Sequence, residues 1–488
     1  MSIYSYETNV KSVDGRELPL IKVISESLKF IANKAIEKLR EQIGSVKEEC
    51  IRWVLTVPAL WTEEHKLFMR KAALEAGIIK HVNSDSLLLC LEPEGASIQC
   101  REDAEEALRN QMTKNTVVLV LDCGGGTVDI TVHKLTSEPN ETFLSEEVLP
   151  SSGGCEWGSK YVDKYFEAFL ETFFGKDLYE FYNKNALARL EVLKHFEMLK
   201  RKFQPGVDER SRLQLSYLSE YLTSSKLTEL VNKHNKGSPK EMQLKQRGAS
   251  CIDLPPALMI SFFKPLFDKI TNKVSQLLKE AKNKVGYNAK FIFLVGGFSE
   301  SPFLKAEIKK KFENDEIKVL APKRPQVSVI RGACMFGLNP RLITSRIAKK
   351  TYGINTLTTF DPERHPEEKK VIIEGEDFCK DVFDAFVKKG ESVGIDEIHT
   401  KIYCPVRTKQ TIMKIIFYAT DSTDVEFVDE DGVSALGELN IDIGKPFQTV
   451  EDKTVKVTLM FGSTNIKATA TNKDSTQVRN CEFKFESS

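Results

Sequence analysis

Residues 118–135 read VLVLDCGGGTVDITVHKL, and no other stretch constrains the chain as tightly as its three consecutive glycines. An apolar run, Val117 to Leu121, enters the turn and an alternating run, Val128 to Val132, leaves it, so two strands flank a loop almost without side chains. Glycines at a strand turn let backbone N–H groups approach a ligand with no Cβ in the way, and successive N–H groups form an anion-binding nest. Asp122 and Asp129 on either side would repel a bare triphosphate but tolerate one that carries Mg²⁺. A plain glycine hairpin with two surface carboxylates explains the same residues, and the loop alone does not choose between the two readings. Neither G-x-x-x-x-G-K-[ST] nor G-x-G-x-x-G occurs, which removes the main support for P-loop and Rossmann readings. A second strand–Gly–Gly–helix unit at 291–303 favours a nucleotide cleft between α/β elements.

Local signals place the surrounding elements. Ile24, Leu28, Ile31, Ala35, Leu39 and Ile43 recur at helical spacing before Gly44. Trp53–Val57 reads as a strand stopped by Pro58, Thr62 caps a helix that ends at Gly77, and residues 87–91 read as another strand. A helical stripe from Val162 to Phe173 ends at Gly175, residues 185–202 are helical, and residues 204–252 read as a polar, loop-rich insertion. The stripe from Ile260 to Leu277 contains Pro265, which implies a boundary or a kink. Ser301 and Pro302 supply the cap and first residue of a further helix. Past Pro340 the texture becomes short alternating strands, so a boundary falls near 340–350.

The 488 residues hold 70 Lys plus Arg against 70 Asp plus Glu, so no global field draws the chain to nucleic acid or to anionic lipid. No apolar run reaches the ~20 residues of a membrane span, and the first residues lack the core of a signal peptide. The ten cysteines are scattered without C-x-x-C spacing or a histidine cluster, which argues against zinc and for a reducing, cytoplasmic setting.

Taken together, the motifs resemble the actin, hexokinase and heat-shock protein 70 superfamily. LDCGGGTVDITV resembles its second phosphate motif and FLVGGFSESPFL its adenosine motif, while WVLTVPALWTEEHKLFMRKAALEAG and LEPEGASI are similar to stretches of heat-shock 70 chaperones. RWVLTVPALW, FEMLKRKF, RGACMFGLNP and LMFGSTNIKATA resemble the divergent heat shock 70 kDa protein 12 subfamily. The resemblance implies an α/β actin-like ATPase body of two lobes, the first incomplete, followed by an all-β sandwich-like domain. It divides the chain into a first-lobe remnant (1–115), a second lobe (116–340), a linker (341–350) and a β-rich substrate-binding-like domain without a helical lid (351–488).

Residue by residue, the resemblance implies an Mg²⁺-water aspartate at Asp122, a phosphate loop at Gly124, Gly125, Gly126 and Thr127, and catalytic carboxylates at Asp129 and Glu92. It further implies a glycine pair near the phosphates at Gly153 and Gly154, an adenosine grip at Glu197, Lys200 and Arg201, and an adenosine loop at Gly296, Gly297 and Ser299. Without the family, Glu197 and Lys200 are a surface i,i+3 pair and Glu92 a turn carboxylate.

The chain departs from the family in three places. Nothing before Trp53 resembles the first phosphate loop, D-x-G-T-[TS], so half of the charge clamp for phosphoryl transfer is missing and a truncated gene product is expected. The Trp53–Val57 strand is then expected to lack its inner neighbour, to be covered by a protein partner or by repacking. The segment SRIAKKTYGI lacks the acidic, Leu-rich linker of ordinary members, and the tail stops at FKFESS without a lid. The leading expectation is therefore an ATP/ADP-binding, Mg²⁺-dependent, stress-response chaperone-like protein with weak or no hydrolysis and extended peptides as clients. The alternatives are a non-enzymatic scaffold with a degenerate cleft and, opposed by the 341–488 texture, a sugar kinase.

Overall fold

Seven strands form the sheet that organises the chain: in spatial order Lys318–Leu320, Ala289–Val295, Val117–Cys123, Val128–Leu135, Ser145–Gly154, Ile343–Ile347 and Ser392–Gly394. The computed structural model describes residues 8–12, 15–204, 206, 210–395, 397–444, 453–461, 466–472 and 478–481, with backbone alone for Gln326 and 478–481. The first three strands run parallel, Val117–Cys123, Val128–Leu135 and Ser145–Gly154 form an antiparallel meander, and Ile343–Ile347 runs parallel to the last of these.

Val117–Cys123 is buried along its whole length because both faces of the sheet are covered. Its alternate residues enter different cores, as a strand's two-residue period requires. Val117, Leu119, Leu121 and Cys123 pack with the helices Lys160–Lys184, Ala186–Lys202 and Pro256–Val285. Val118 and Val120 pack with the helices Glu92–Asp103 and Pro325–Leu338. The rings of Phe166 and Phe196 lie parallel with centroids 3.7 Å apart and tie the first two of these helices together. The Lys160–Lys184 helix breaks at Gly175, whose φ of +72° no side-chain-bearing residue adopts cheaply, where the sequence places its end. The helix Pro256–Val285 instead runs on through Pro265.

Trp53–Val57 pairs in parallel with Leu87–Leu91 in a separate two-stranded sheet, flanked by the helices Leu20–Ile43 and Glu63–Glu75. Among the described residues Trp53–Val57 has this one neighbour and its other edge is open.

Two expectations change. The 204–252 stretch is not loop-rich: Ser211–Gln214, Cys251–Leu254 and Lys245–Arg247 form a three-stranded sheet beside the helix Ser224–Lys236. Leu213 and Leu215, Leu227 and Val231, and Ile252 and Leu254 enter the main core in short pairs at strand or helix spacing, separated by polar residues. The 341–350 segment is not a free linker either, since Ile343–Ile347 is a strand of the body's sheet and Ser392–Gly394 extends that sheet from within the β-rich region.

Beyond it, a five-stranded sheet (Lys370–Ile373, Glu376–Val387, Thr351–Thr359, Ile412–Thr420, Val433–Asp442) faces a four-stranded one (Ile398–Tyr403, Val455–Met460, Lys467–Asn472, Val478–Cys481). Ile354, Ile415, Phe417 and Leu439 from one share a core with Val455, Val457, Leu459 and Ala470 from the other, which makes a β-sandwich. The terminal FKFESS lies outside the described residues. Among the described residues no helix is long and apolar enough to cross a membrane.

Candidate functional site

Three glycine turns meet at one end of the central sheet. Val295 pairs with Asp122, which places Gly296 beside Cys123, and Asp129 pairs with Gly153 across the next ladder. The fit leaves no room for side chains. A Cβ on Gly296 would stand 2.3 Å from Asp122 Oδ1, and one on Gly153 would stand 1.9 Å from the Val128 carbonyl. Ser299 is buried and its hydroxyl donates to the Gly296 carbonyl at 2.7 Å, so it shapes the turn.

The Gly124–Thr127 loop is held from behind by the start of the Lys160–Lys184 helix. The N–H groups of Gly158, Ser159 and Lys160 donate to the carbonyls of Gly126, Gly124 and Gly125 at 3.2, 3.1 and 2.9 Å. With the carbonyls so engaged, the N–H groups of Gly125, Gly126 and Thr127 donate to no described residue, and a Cβ on Gly125 would meet nothing within 4 Å. This is an open nest of backbone donors. Gly158 makes it possible, since a Cβ there would lie 2.4 Å from the Gly125 carbonyl. The sequence offered a faint signal for Gly158, a third glycine in SSGGCEWGSK just before a helical stripe.

Carboxylates line the other side. Asp122 and Asp129 are directly opposite each other in the antiparallel pair, a placement that is unfavourable for like charges. Glu92, the first residue of the Glu92–Asp103 helix, is pushed up to about 7 by burial and then by Asp129. Burial, with Glu92 and Asp129 adding, raises Asp122 well above the ordinary carboxylate range. Asp129 is also raised by burial, although the Leu60 N–H donates to it at 3.0 Å and the Thr127 hydroxyl bonds it. Burial of these carboxyls close to one another disfavours their charged forms, an effect that a cation among them would oppose. Among the described residues no three His, Cys, Asp or Glu side chains converge closely enough to hold a metal ion by themselves. The donor set therefore suits a cation that arrives with its own oxygen ligands.

Glu197, Lys200 and Arg201 lie at the end of the Ala186–Lys202 helix and divide into two kinds. Lys200 is buried, bonded to both Asp163 oxygens at 2.8 Å and paired with Glu197, so it braces the end of its helix on the start of the Lys160–Lys184 helix. Arg201 is exposed, held at 2.7 Å by Glu197, with its guanidinium face accessible.

Sequence reading missed a second cluster beneath the cleft. Arg346, from the Ile343–Ile347 strand, makes a two-point ion pair with Glu94 at 2.7 and 2.9 Å, both groups buried. Lys349 donates to the Ala59 carbonyl, next to the Leu60 N–H that holds Asp129. Glu147 accepts the Ile347 N–H at 2.9 Å, yet burial pushes its carboxyl up to about 7 among Glu94, Lys349 and Arg346, with His133 as its cross-strand neighbour. A carboxyl raised on folding binds its proton more tightly in the folded state, so its contribution is present below about pH 4.5 and is lost as pH rises through 7. Glu147→Gln will therefore gain stability relative to the parent between pH 4.5 and 8, by at most about 3 kcal/mol. Thermal unfolding across that range checks this, and parallel curves for the two proteins would refute it.

Comparisons with known proteins show what the chain is similar to. The family model described as Hsp70 protein matches residues 18–235, which include Glu92, the Gly124–Thr127 loop and Glu197–Arg201. Heat shock 70 kDa protein 12A of Homo sapiens is 28% identical over 516 residues, covering 95% of this chain and 75% of the relative. Over residues 18–235 the chain is similar to the heat shock protein 70 family. The Mus musculus 12A protein matches over the same span at 28%, and human heat shock 70 kDa protein 12B is 29% identical over 523 residues. The stretch similar to the Hsp70 model contributes three strands of the seven-stranded sheet, and a β-rich C-terminal region follows the α/β body.

Proposed function

We propose that this protein is a nucleotide-binding, chaperone-like member of the heat shock 70 type, with weak or no ATP hydrolysis. The observation that carries the reading is the nest at Gly125–Thr127: three N–H groups that donate to no described residue, beside the buried Asp122 and Asp129. ADP or ATP seats its phosphates on that nest, with Asp122 oriented toward the accompanying Mg²⁺ and its waters. Gly153, Gly154, Gly296 and Gly297 give the nucleotide backbone clearance, and Arg201 with Glu197 holds the adenosine. When bound, Mg²⁺ neutralises phosphate charge. Glu92 and Asp129 hold and orient water near the terminal phosphate, and Glu92 takes up a proton near neutral pH.

The β-rich region is the proposed client site. A groove of about 590 Å³ there is lined by Ile354, Phe378 and Met413 together with Glu374, Gln410 and Lys414, a mixed surface that offers an extended peptide both apolar and polar contacts at a sheet edge. A scaffold reading is favoured by a different observation. The open edge of Trp53–Val57 lies near the Leu20–Ile43 helix, on which Phe30, Ile31 and Ile43 are 64, 62 and 67% exposed, a surface suited to a protein partner.

Calorimetry decides between the two. MgADP and MgATP should give heat with the parent chain, and Gly125→Val should lose more than about tenfold in affinity with unchanged melting, since that position faces open space. No heat with either nucleotide would sink the nucleotide reading. No heat alongside retained binding of an extended peptide would leave the scaffold.

A further inference from the structure

A lysine that no family motif assigns stands over the glycine nest. Lys160 opens the Lys160–Lys184 helix, and its own N–H is fixed on the Gly125 carbonyl at 2.9 Å. The side chain turns back to the loop: a Cβ on Gly126 would lie 3.3 Å from Lys160 Nζ and 3.5 Å from its Cε. The ammonium is thus packed against the residue whose N–H is the middle donor of the nest. Lys160 is exposed and pairs with no carboxylate among the described residues; its nearest recorded neighbour ring is Tyr161, with the centroid 5.5 Å away.

The placement is electrostatically poor for a lysine with no ligand. The first turn of a helix carries a partial positive charge and favours acids, and here Asp163 is the first turn's acidic residue and is already committed to Lys200. A cation set at a helix N-terminus, over unengaged N–H groups, gathers positive potential at one point. On the far side of the same turn stand Asp122 and Asp129, so an anion approaching the nest needs that counter-charge. The ammonium and the three N–H groups share a reach that suits one or two phosphate groups, and charge-assisted bonds of this kind are the strong ones.

We propose that Lys160 is a phosphate-binding residue: its ammonium contacts the terminal phosphates of a nucleoside di- or triphosphate seated on Gly125–Thr127, and so selects such nucleotides over adenosine. This rests on the nucleotide reading above. Lys160 touches phosphate only; the base and ribose lie with Arg201 and Glu197, on another helix.

Titration calorimetry of the full chain with MgADP and with adenosine tests it, using the parent, Lys160→Met and Lys160→Arg. Lys160→Met should weaken MgADP about 10–100-fold, the range of a lost bond to a charged group, and leave adenosine unchanged. Lys160→Arg should stay within about threefold of the parent, and MgADP binding should become less sensitive to salt in Lys160→Met. Parent-like MgADP binding by Lys160→Met overturns the proposal and leaves the nucleotide reading standing. Equal losses for MgADP and adenosine also overturn it, because they signal a shifted loop. A parent that binds adenosine but prefers it to MgADP overturns it too, and a parent that binds neither removes the nucleotide reading and the lysine's role together.

Discussion

Arg346→Met will lower the stability of the α/β body by about 3–5 kcal/mol, and adding Glu94→Leu will return much of that loss. The two side chains come from elements 252 residues apart and are sealed between the Glu92–Asp103 helix and the Ile343–Ile347 strand. Burial alone would raise the Glu94 carboxyl, yet the Arg346 guanidinium outweighs it and holds Glu94 below the usual carboxylate range. Burial likewise works against Arg346, and Glu94 more than offsets it. Removing one partner strands the other charge away from water, whereas removing both leaves an apolar gap whose cost is packing alone. Urea unfolding with an unchanged denaturant slope is the measurement. A loss below about 1 kcal/mol, the worth of a surface pair, would mean that water reaches this pair freely.

The same pair shows where sequence reading stops. Features governed by local backbone geometry were legible: Gly44 and Gly77 end helices at φ of +80° and +76°, and the Ser301 side chain accepts the Leu304 N–H as a cap should. The glycine turns at 124–127 and 296–297 were legible too, because each interrupts a strand at its end, and parallel pairing then brings them together. Ile343–Ile347 was not. Its five residues, ITSRI, carry too little alternation to declare a strand, and they become one because Ser145–Gly154 offers a free edge and Glu94 a buried counter-charge. Lys160 was invisible for a related reason. A lysine in a helical stripe reads as solvated surface until the loop it leans on is placed beneath it. Lys200 shows the limit of motif transfer, since its charge is divided between Asp163 and Glu197 in the fold, leaving the exposed Arg201 to meet a ligand.

Gly332→Ala should cost up to about 3 kcal/mol, a large penalty for one methyl group, and it should disturb the cleft as well. Gly332 lies in the Pro325–Leu338 helix where that helix crosses Glu92–Asp103. A Cβ there would stand 1.7 Å from the Gly95 carbonyl oxygen and 2.5 Å from its carbon, and one on Gly95 would stand 2.7 Å from the Val329 carbonyl. Every atom met closer than 3.4 Å is backbone, so no side chain can turn aside and the helices themselves must separate. Separation opens the core that Ala96, Ala333 and Phe336 close, and lost contacts add to the strain. Gly95 also sits one helical turn past Glu92, so the displaced helix carries that carboxyl away from Asp129. The effect on nucleotide affinity should therefore accompany the effect on melting, and Gly95→Ala should reproduce both. The double variant should lose less than the sum of the singles, because one separation relieves both clashes. Melting of Gly332→Ala within a degree of the parent would show that the two backbones do not touch, and full additivity would show that they yield independently.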